Sequence, residues 1–126
     1  MAKIILIEDD EFIREIYKRQ LDRAELPTDA FPTGKDGIEA LLKTEYDLLL
    51  LDIMLPDMTG LDVLMEVMKN AQIKTKSVVI LTNLGQDNII KECLTQGAMG
   101  YLIKAQYTPD QIVDETKLYL KQKNEA

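Results

Sequence analysis

The chain of 126 residues has no histidine, no tryptophan and a single cysteine, Cys93. Without histidine, His-bearing zinc sites and Ser/His or Cys/His triads are excluded. A lone cysteine cannot close an internal disulfide, so a disulfide-framed secreted domain is excluded and a reducing, cytoplasmic setting is expected. No apolar run approaches the roughly 18–20 residues that cross a membrane. The stretch Ile4-Ile5-Leu6-Ile7 is too short for a signal peptide and runs directly into acids. Positive charge is scarce too: 15 Lys and Arg face 22 Asp and Glu, a formal net charge of −7. Nucleic-acid binding draws its affinity from clustered Lys and Arg, so this balance disfavours it.

What is there is an ordinary globular composition, 46% hydrophobic and 29% charged, at a length that supports one domain with one core. Residues 1–126 read as that single domain, with a tail from about residue 121 expected to fray.

Strand and helix patterns alternate strictly. Ile4–Ile7 is an unbroken apolar run suited to a strand buried on both faces. From Glu11 the period becomes helical, with Ile13, Ile16, Tyr17, Leu21 and Ala24 on one stripe. Thr28–Phe31 reads as a short, weak strand. Thr33 is placed to cap a second helix striped by Ile38, Leu41 and Leu42. Leu48–Leu51 reads as a central strand ending at Asp52. A third helical stripe carries Leu61, Leu64, Met65 and Met68. Val78–Leu81 is the clearest strand. A fourth helix with Ile89, Ile90, Cys93 and Leu94 is closed by Gly97, and Gly100–Ile103 is the fifth strand. Thr108-Pro109-Asp110-Gln111 opens the last helix with an N-cap, a Pro at the first position and a capping-box Gln. Ile112, Val113, Thr116, Tyr119 and Leu120 form its stripe. Five such units predict an α/β fold, a doubly wound five-stranded parallel sheet with helices on both faces.

Function in such a sheet gathers at the carboxyl ends of its strands. There the chain places Glu8-Asp9-Asp10, Asp52, Thr82 and Lys104. Each has a bland reading alone: Asp9 or Asp10 as a helix cap, Asp52 as a turn residue, Thr82 as a strand residue, Lys104 as a solvated lysine. Together they read differently. Carboxylates crowded at one edge repel unless a cation lies among them, and Mg²⁺ suits because it uses few protein oxygens. A metal on Glu8, Asp9 and Asp52, with Thr82 and Lys104 beside it, is an arrangement for phosphoryl transfer.

The chain resembles the receiver domain of two-component response regulators over essentially its whole length. The resemblance rests on Glu8-Asp9, Asp52, the Leu55-Pro56-Asp57-Met58-Thr59-Gly60 loop, and Thr82 and Lys104 at 30 and 52 residues beyond Asp52. Tyr101 stands at the family's aromatic switch position. The resemblance implies a flavodoxin-like (βα)5 fold with strand order 2-1-3-4-5. It implies Asp52 as phosphoacceptor and Mg²⁺ on Glu8, Asp9, Asp52 and the Met54 carbonyl. Thr82 and Lys104 would be catalytic, and Thr82 and Tyr101 the switch. The implied donor is a sensor histidine kinase or phosphotransfer protein, since this chain has no histidine of its own. Output would be contact with a downstream protein through the face of helix four, strand five and helix five, including Lys91, Tyr101 and Tyr107. A phosphorylation-dependent dimer is a further implied form; nucleic acid and membrane are not expected as partners. In this reading the chain is not an enzyme beyond its own phosphorylation and dephosphorylation.

Three positions depart from the family's pattern. Asn83 replaces a small residue, Ala105 replaces a Pro after Lys104, and the stretch to Pro109 is one residue longer. Without Pro, a cis Lys104–Ala105 bond would cost about 2.5–4 kcal/mol, so a trans bond with a rerouted loop is expected.

Other readings are an aspartyl-nucleophile phosphohydrolase of the haloacid dehalogenase-like class, a flavin carrier, and a receiver fragment of a larger regulator or hybrid kinase. The first needs an acid two residues past the nucleophile, where this chain has Met54. The second needs a phosphate-cradling loop where Glu8-Asp9-Asp10-Glu11 would repel phosphate. The start at Met1 and the tapering tail favour a complete protein over a fragment.

Overall fold

Each run that the sequence marks as a strand is one in the computed structural model, which describes residues 1–125. The order is β1 (Ile4–Ile7), α1 (Glu11–Arg23), β2 (Thr28–Phe31), α2 (Gly34–Lys43), β3 (Leu48–Asp52), α3 (Gly60–Lys69), β4 (Val78–Thr82), α4 (Asp87–Thr95), β5 (Gly100–Ile103) and α5 (Pro109–Glu125). The five strands pair in parallel in the order β2-β1-β3-β4-β5. This is the doubly wound, flavodoxin-like sheet.

Alternation along the strands divides the core. Ile5, Ile7, Leu49, Leu51, Val78 and Ile80 face one layer with α2, α3 and α4 residues. Ile4, Leu6, Leu48, Leu50, Val79 and Leu81 face the other, against α1 and α5. Burial on both faces is why the central strands read as continuous apolar runs rather than alternating ones.

Four of the five helices start on a side-chain cap; α4 does not. Asp10, Thr33 and Thr59 each accept a hydrogen bond from the amide three residues on. Thr108 and Gln111 exchange side-chain bonds with each other's amides at the start of α5. Gly97, at φ +118°, takes the left-handed turn that closes α4.

Three expectations need correction. The inward stripe of α3 is Gly60, Val63, Leu64 and Val67, while Met65 is exposed and Leu61 and Met68 are only half-buried. The cause is Gly60: a Cβ there would lie 2.6 Å from the Asp52 carbonyl oxygen, so this face of the helix is forced against β3. Leu42 and Leu94, expected on buried stripes, are exposed. Helix α5 continues past residue 121, where fraying was expected, because Lys123 donates to the Asp47 carbonyl. The last residue of that tail, Ala126, lies outside the described residues.

Candidate functional site

Order reversal in the sheet puts β1 and β3 side by side, with Ile7 paired to Leu51. The residues that follow, Glu8 and Asp52, therefore emerge together at the carboxyl edge. Asp52 pairs with Leu81 and Thr82 with Ile103, so Thr82 and Lys104 arrive at the same edge from β4 and β5. This is the crevice at which open α/β sheets place their chemistry.

The side chains meet there. Lys104 Nζ lies 2.7 Å from Glu8 Oε1 and 3.3 Å from Asp52 Oδ2. Glu8 is 0% exposed and Asp52 3%, so both carboxylates are withdrawn from water. Their remaining oxygens take backbone donors: Asp10 N–H reaches Glu8 Oε2 at 3.2 Å, and Met54 N–H reaches Asp52 Oδ1 at 3.2 Å. Asp9 stands exposed at the mouth.

Two buried carboxylates share one ammonium. Burial, reinforced by the neighbouring Asp52, pushes the Glu8 carboxyl up to about 8 despite the Lys104 partner. Burial depresses the Lys104 ammonium, but the hydrogen bond to Glu8 and the Asp52 charge outweigh it and raise its pKa. One cation balances one carboxylate, and the other holds a proton or needs a second cation.

Glu8, Asp9 and Asp52 offer one oxygen each, all within 4.8 Å of one another. An all-oxygen anionic set with one exposed member fits a hard divalent cation that retains its own waters, as Mg²⁺ does. The Met54 backbone is fixed beside the cluster by its bond to Asp52.

Not every candidate lies in the cluster. The Thr82 hydroxyl, 1% exposed, donates to the Asn83 carbonyl at 3.0 Å rather than to a carboxylate. Tyr101 is 42% exposed and faces away from the core. Asp10 takes the bland role, capping α1 through Ile13 N–H at 2.9 Å. The Lys104–Ala105 bond is trans, and a short 3-10 turn over Lys104–Gln106 carries the chain towards α5.

Two residues that sequence reasoning passed over support the site. Arg14 Nη1 donates to the Glu8 carbonyl at 2.9 Å and the Asp9 carbonyl at 3.2 Å, holding the acidic turn against α1. Its only signal in sequence is a cation one turn into the helix after the acids. Asp57 bonds the amides of Gly34 and Lys35, a link between segments that local periodicity does not reveal.

Comparisons with known proteins agree with this architecture. Residues 4–117 match the response regulator receiver domain. Regulatory protein LuxO of Vibrio cholerae serotype O1 is 34% identical over 99 residues, which cover 79% of this chain and 21% of that protein. Response regulator ArlR of Staphylococcus saprophyticus is 31% identical over 104 residues, covering 82% and 46%. The chain thus spans about a fifth to a half of the length of these curated relatives. A CheY-like receiver domain protein from Methanospirillum hungatei superposes with a TM-score of 0.89 at 22% identity, over 99% of this chain and 98% of that one. Chemotaxis response regulator CheY4 of Vibrio cholerae does so at 0.85 and 24%, over 94% and 98%. At these identities the superpositions speak to the fold. Among the described residues, no helix is long and apolar enough to cross a membrane.

Proposed function

This chain belongs to the response regulator receiver family of two-component systems, and on that premise we propose that it is a phosphorylation-dependent switch whose phosphoacceptor is Asp52. The observation that carries this reading is the convergence of Glu8, Asp9, Asp52 and Lys104 at one sheet edge. The donor is a phosphohistidine on a sensor kinase or phosphotransfer protein. An Asp52 oxygen forms the bond to phosphorus as the phosphorus–nitrogen bond breaks, and the imidazole nitrogen keeps the electron pair.

Apart from Asp52, the chain's own groups position and neutralise rather than react. Glu8, Asp9, Asp52 and the Met54 carbonyl would hold Mg²⁺, which when bound supplies positive charge to the phosphoryl oxygens. Lys104 is already within reach of the Asp52 carboxylate and takes a further phosphoryl oxygen. The Thr82 hydroxyl exchanges the Asn83 carbonyl for the phosphoryl group, and Tyr101 moves inward behind it. The face of α4, β5 and α5, with Lys91, Tyr101 and Tyr107, then carries the output to a protein target. Residues 1–126 work as one cytoplasmic receiver unit, and the chemistry is confined to Asp52 itself.

Mass spectrometry after acetyl phosphate and Mg²⁺ tests the reading. One phosphoryl group on the wild type, lost in Asp52→Asn and in chelator, is the expected result. Phosphate on Asp52→Asn at the wild-type level refutes it. Beryllofluoride should also shift the amide resonances of Tyr101 and its neighbours; unmoved resonances refute the switch.

A further inference from the structure

We infer that Asp57 is a positioning residue for the phosphoacceptor: by fastening the loop after β3 to the amino end of α2, it holds the Met54 N–H on the Asp52 carboxylate. The effect on Mg²⁺ rests on the function proposed above; the geometry does not.

The loop from Ile53 to Gly60 is pinned at its base. Gly60 N–H donates to the Ile53 carbonyl at 2.6 Å, and Met54 pairs with Thr59 across the loop. Thr59 and Asp62 close a reciprocal capping box at the start of α3. These contacts are local to the loop; further out, Leu55 and Met58 pack against the core, and the tip is left to a tie of its own. Asp57 stands at that tip, and both of its oxygens are engaged elsewhere: Oδ1 accepts from Gly34 N–H and Oδ2 from Lys35 N–H, each at 2.9 Å. Gly34 allows the approach, since a Cβ there would fall 2.6 Å from Met58 Cγ.

Helix α2 has a cap of its own. Thr33 Oγ1 accepts from Asp36 N–H at 3.1 Å, in the ordinary N-cap manner. Asp57 takes two other first-turn donors, from a segment more than twenty residues away. The same helix end therefore carries one tie that serves the helix alone and one that also anchors the loop. Burial pushes the Asp57 carboxyl up, but the backbone donors, Lys35 and Gly34 foremost, together outweigh it and hold the carboxyl below its ordinary value. The anchored loop delivers Met54 N–H to Asp52 Oδ1 at 3.2 Å. Asp52's other oxygen faces the flexible Lys104 stem, so the backbone donor is the fixed side of its orientation.

The two caps of α2 allow a clean test. Amide exchange of Met54 is measured by NMR in the metal-free full chain, and Mg²⁺ affinity by titration, for wild type, Asp57→Ala, Asp57→Asn and Thr33→Ala. Asp57→Ala should speed Met54 exchange and weaken Mg²⁺ binding about 10-fold, the scale seen when groups that orient metal ligands are lost. Asp57→Asn keeps one acceptor and should fall between. Thr33→Ala weakens the same helix and should leave both readouts at the wild-type value. Unchanged Met54 exchange in Asp57→Ala, or an equal change in Thr33→Ala, overturns the inference. A wild type that ignores Mg²⁺ would refute the phosphoacceptor reading instead, and Met54 exchange would still decide the role of Asp57.

Discussion

At the amino end of the sheet, Lys74 pairs with Glu45 at 3.1 Å, and Lys123 lies 3.9 Å from the Asp47 carboxylate and donates to its carbonyl. At the carboxyl end, Lys104 lies between Glu8 and Asp52 with Asp9 beside them. The first cleft holds Lys3, Lys74 and Lys123 against Glu45 and Asp47, and its Lys74–Glu45 pair is 66% and 75% exposed. Three cations face two carboxylates there, but water screens them. At the other end three carboxylates meet one ammonium, and Lys104 is 9% exposed in its side chain. Unbalanced charge is tolerable where solvent reaches it and costly where it does not. The carboxyl edge holds charge that the fold alone does not neutralise, which is the property expected of a cation and phosphoryl site.

Removing the cation at each end breaks or sharpens this contrast. Lys104→Ala leaves two buried carboxylates facing each other and should cost about 3–5 kcal/mol of metal-free stability at pH 8, the scale of a broken buried pair. Lys74→Ala removes an exposed pair and should cost about 0–1 kcal/mol. Urea unfolding of the two variants gives both numbers, and equal losses would erase the difference between the ends.

A further effect follows from pH. Glu8 holds its proton to about 8 in the folded chain and to the ordinary 4.5 when unfolded. Between those values the folded state binds the extra proton, so metal-free stability should fall as pH rises through that window. Lys104, raised above its ordinary 10.5, contributes stability throughout this window and loses it only at higher pH. Saturating Mg²⁺ competes with the Glu8 proton and should flatten the decline. A metal-free stability that instead rises from pH 5 to 8 would contradict the burial argument.

How far the sequence discloses these features depends on distance along the chain. Strands and caps are set within a few residues: Ile4–Ile7, Val78–Leu81, Thr33 and Thr108 are all legible. The phase of α3 is not, because it depends on Gly60 touching the backbone of another element, which no hydrophobic count contains. The persistence of α5 is hidden for the same reason, since Lys123 answers to Asp47, 76 residues away. Within the site, Glu8, Asp9, Asp52 and Lys104 can be gathered from the strand ends, since parallel sheets bring those ends together. Asp10 could be told from Asp9 only by its hydrogen bond to Ile13. Arg14 and Asp57 act on backbone atoms, so their contribution lies outside any pattern of side-chain types.

The claim that the carboxyl edge is short of a cation is tested most directly by the stability of wild type, Asp9→Ala and Asp52→Asn, each without metal and with Mg²⁺. Without metal, both variants should be more stable than wild type, because each removes a repelling carboxylate while Glu8 keeps its Lys104 partner. Mg²⁺ at ten times its Kd should stabilise the wild type by about 1.4 kcal/mol and the variants by less. Variants that are less stable than wild type without metal, yet gain as much from Mg²⁺, would contradict the account.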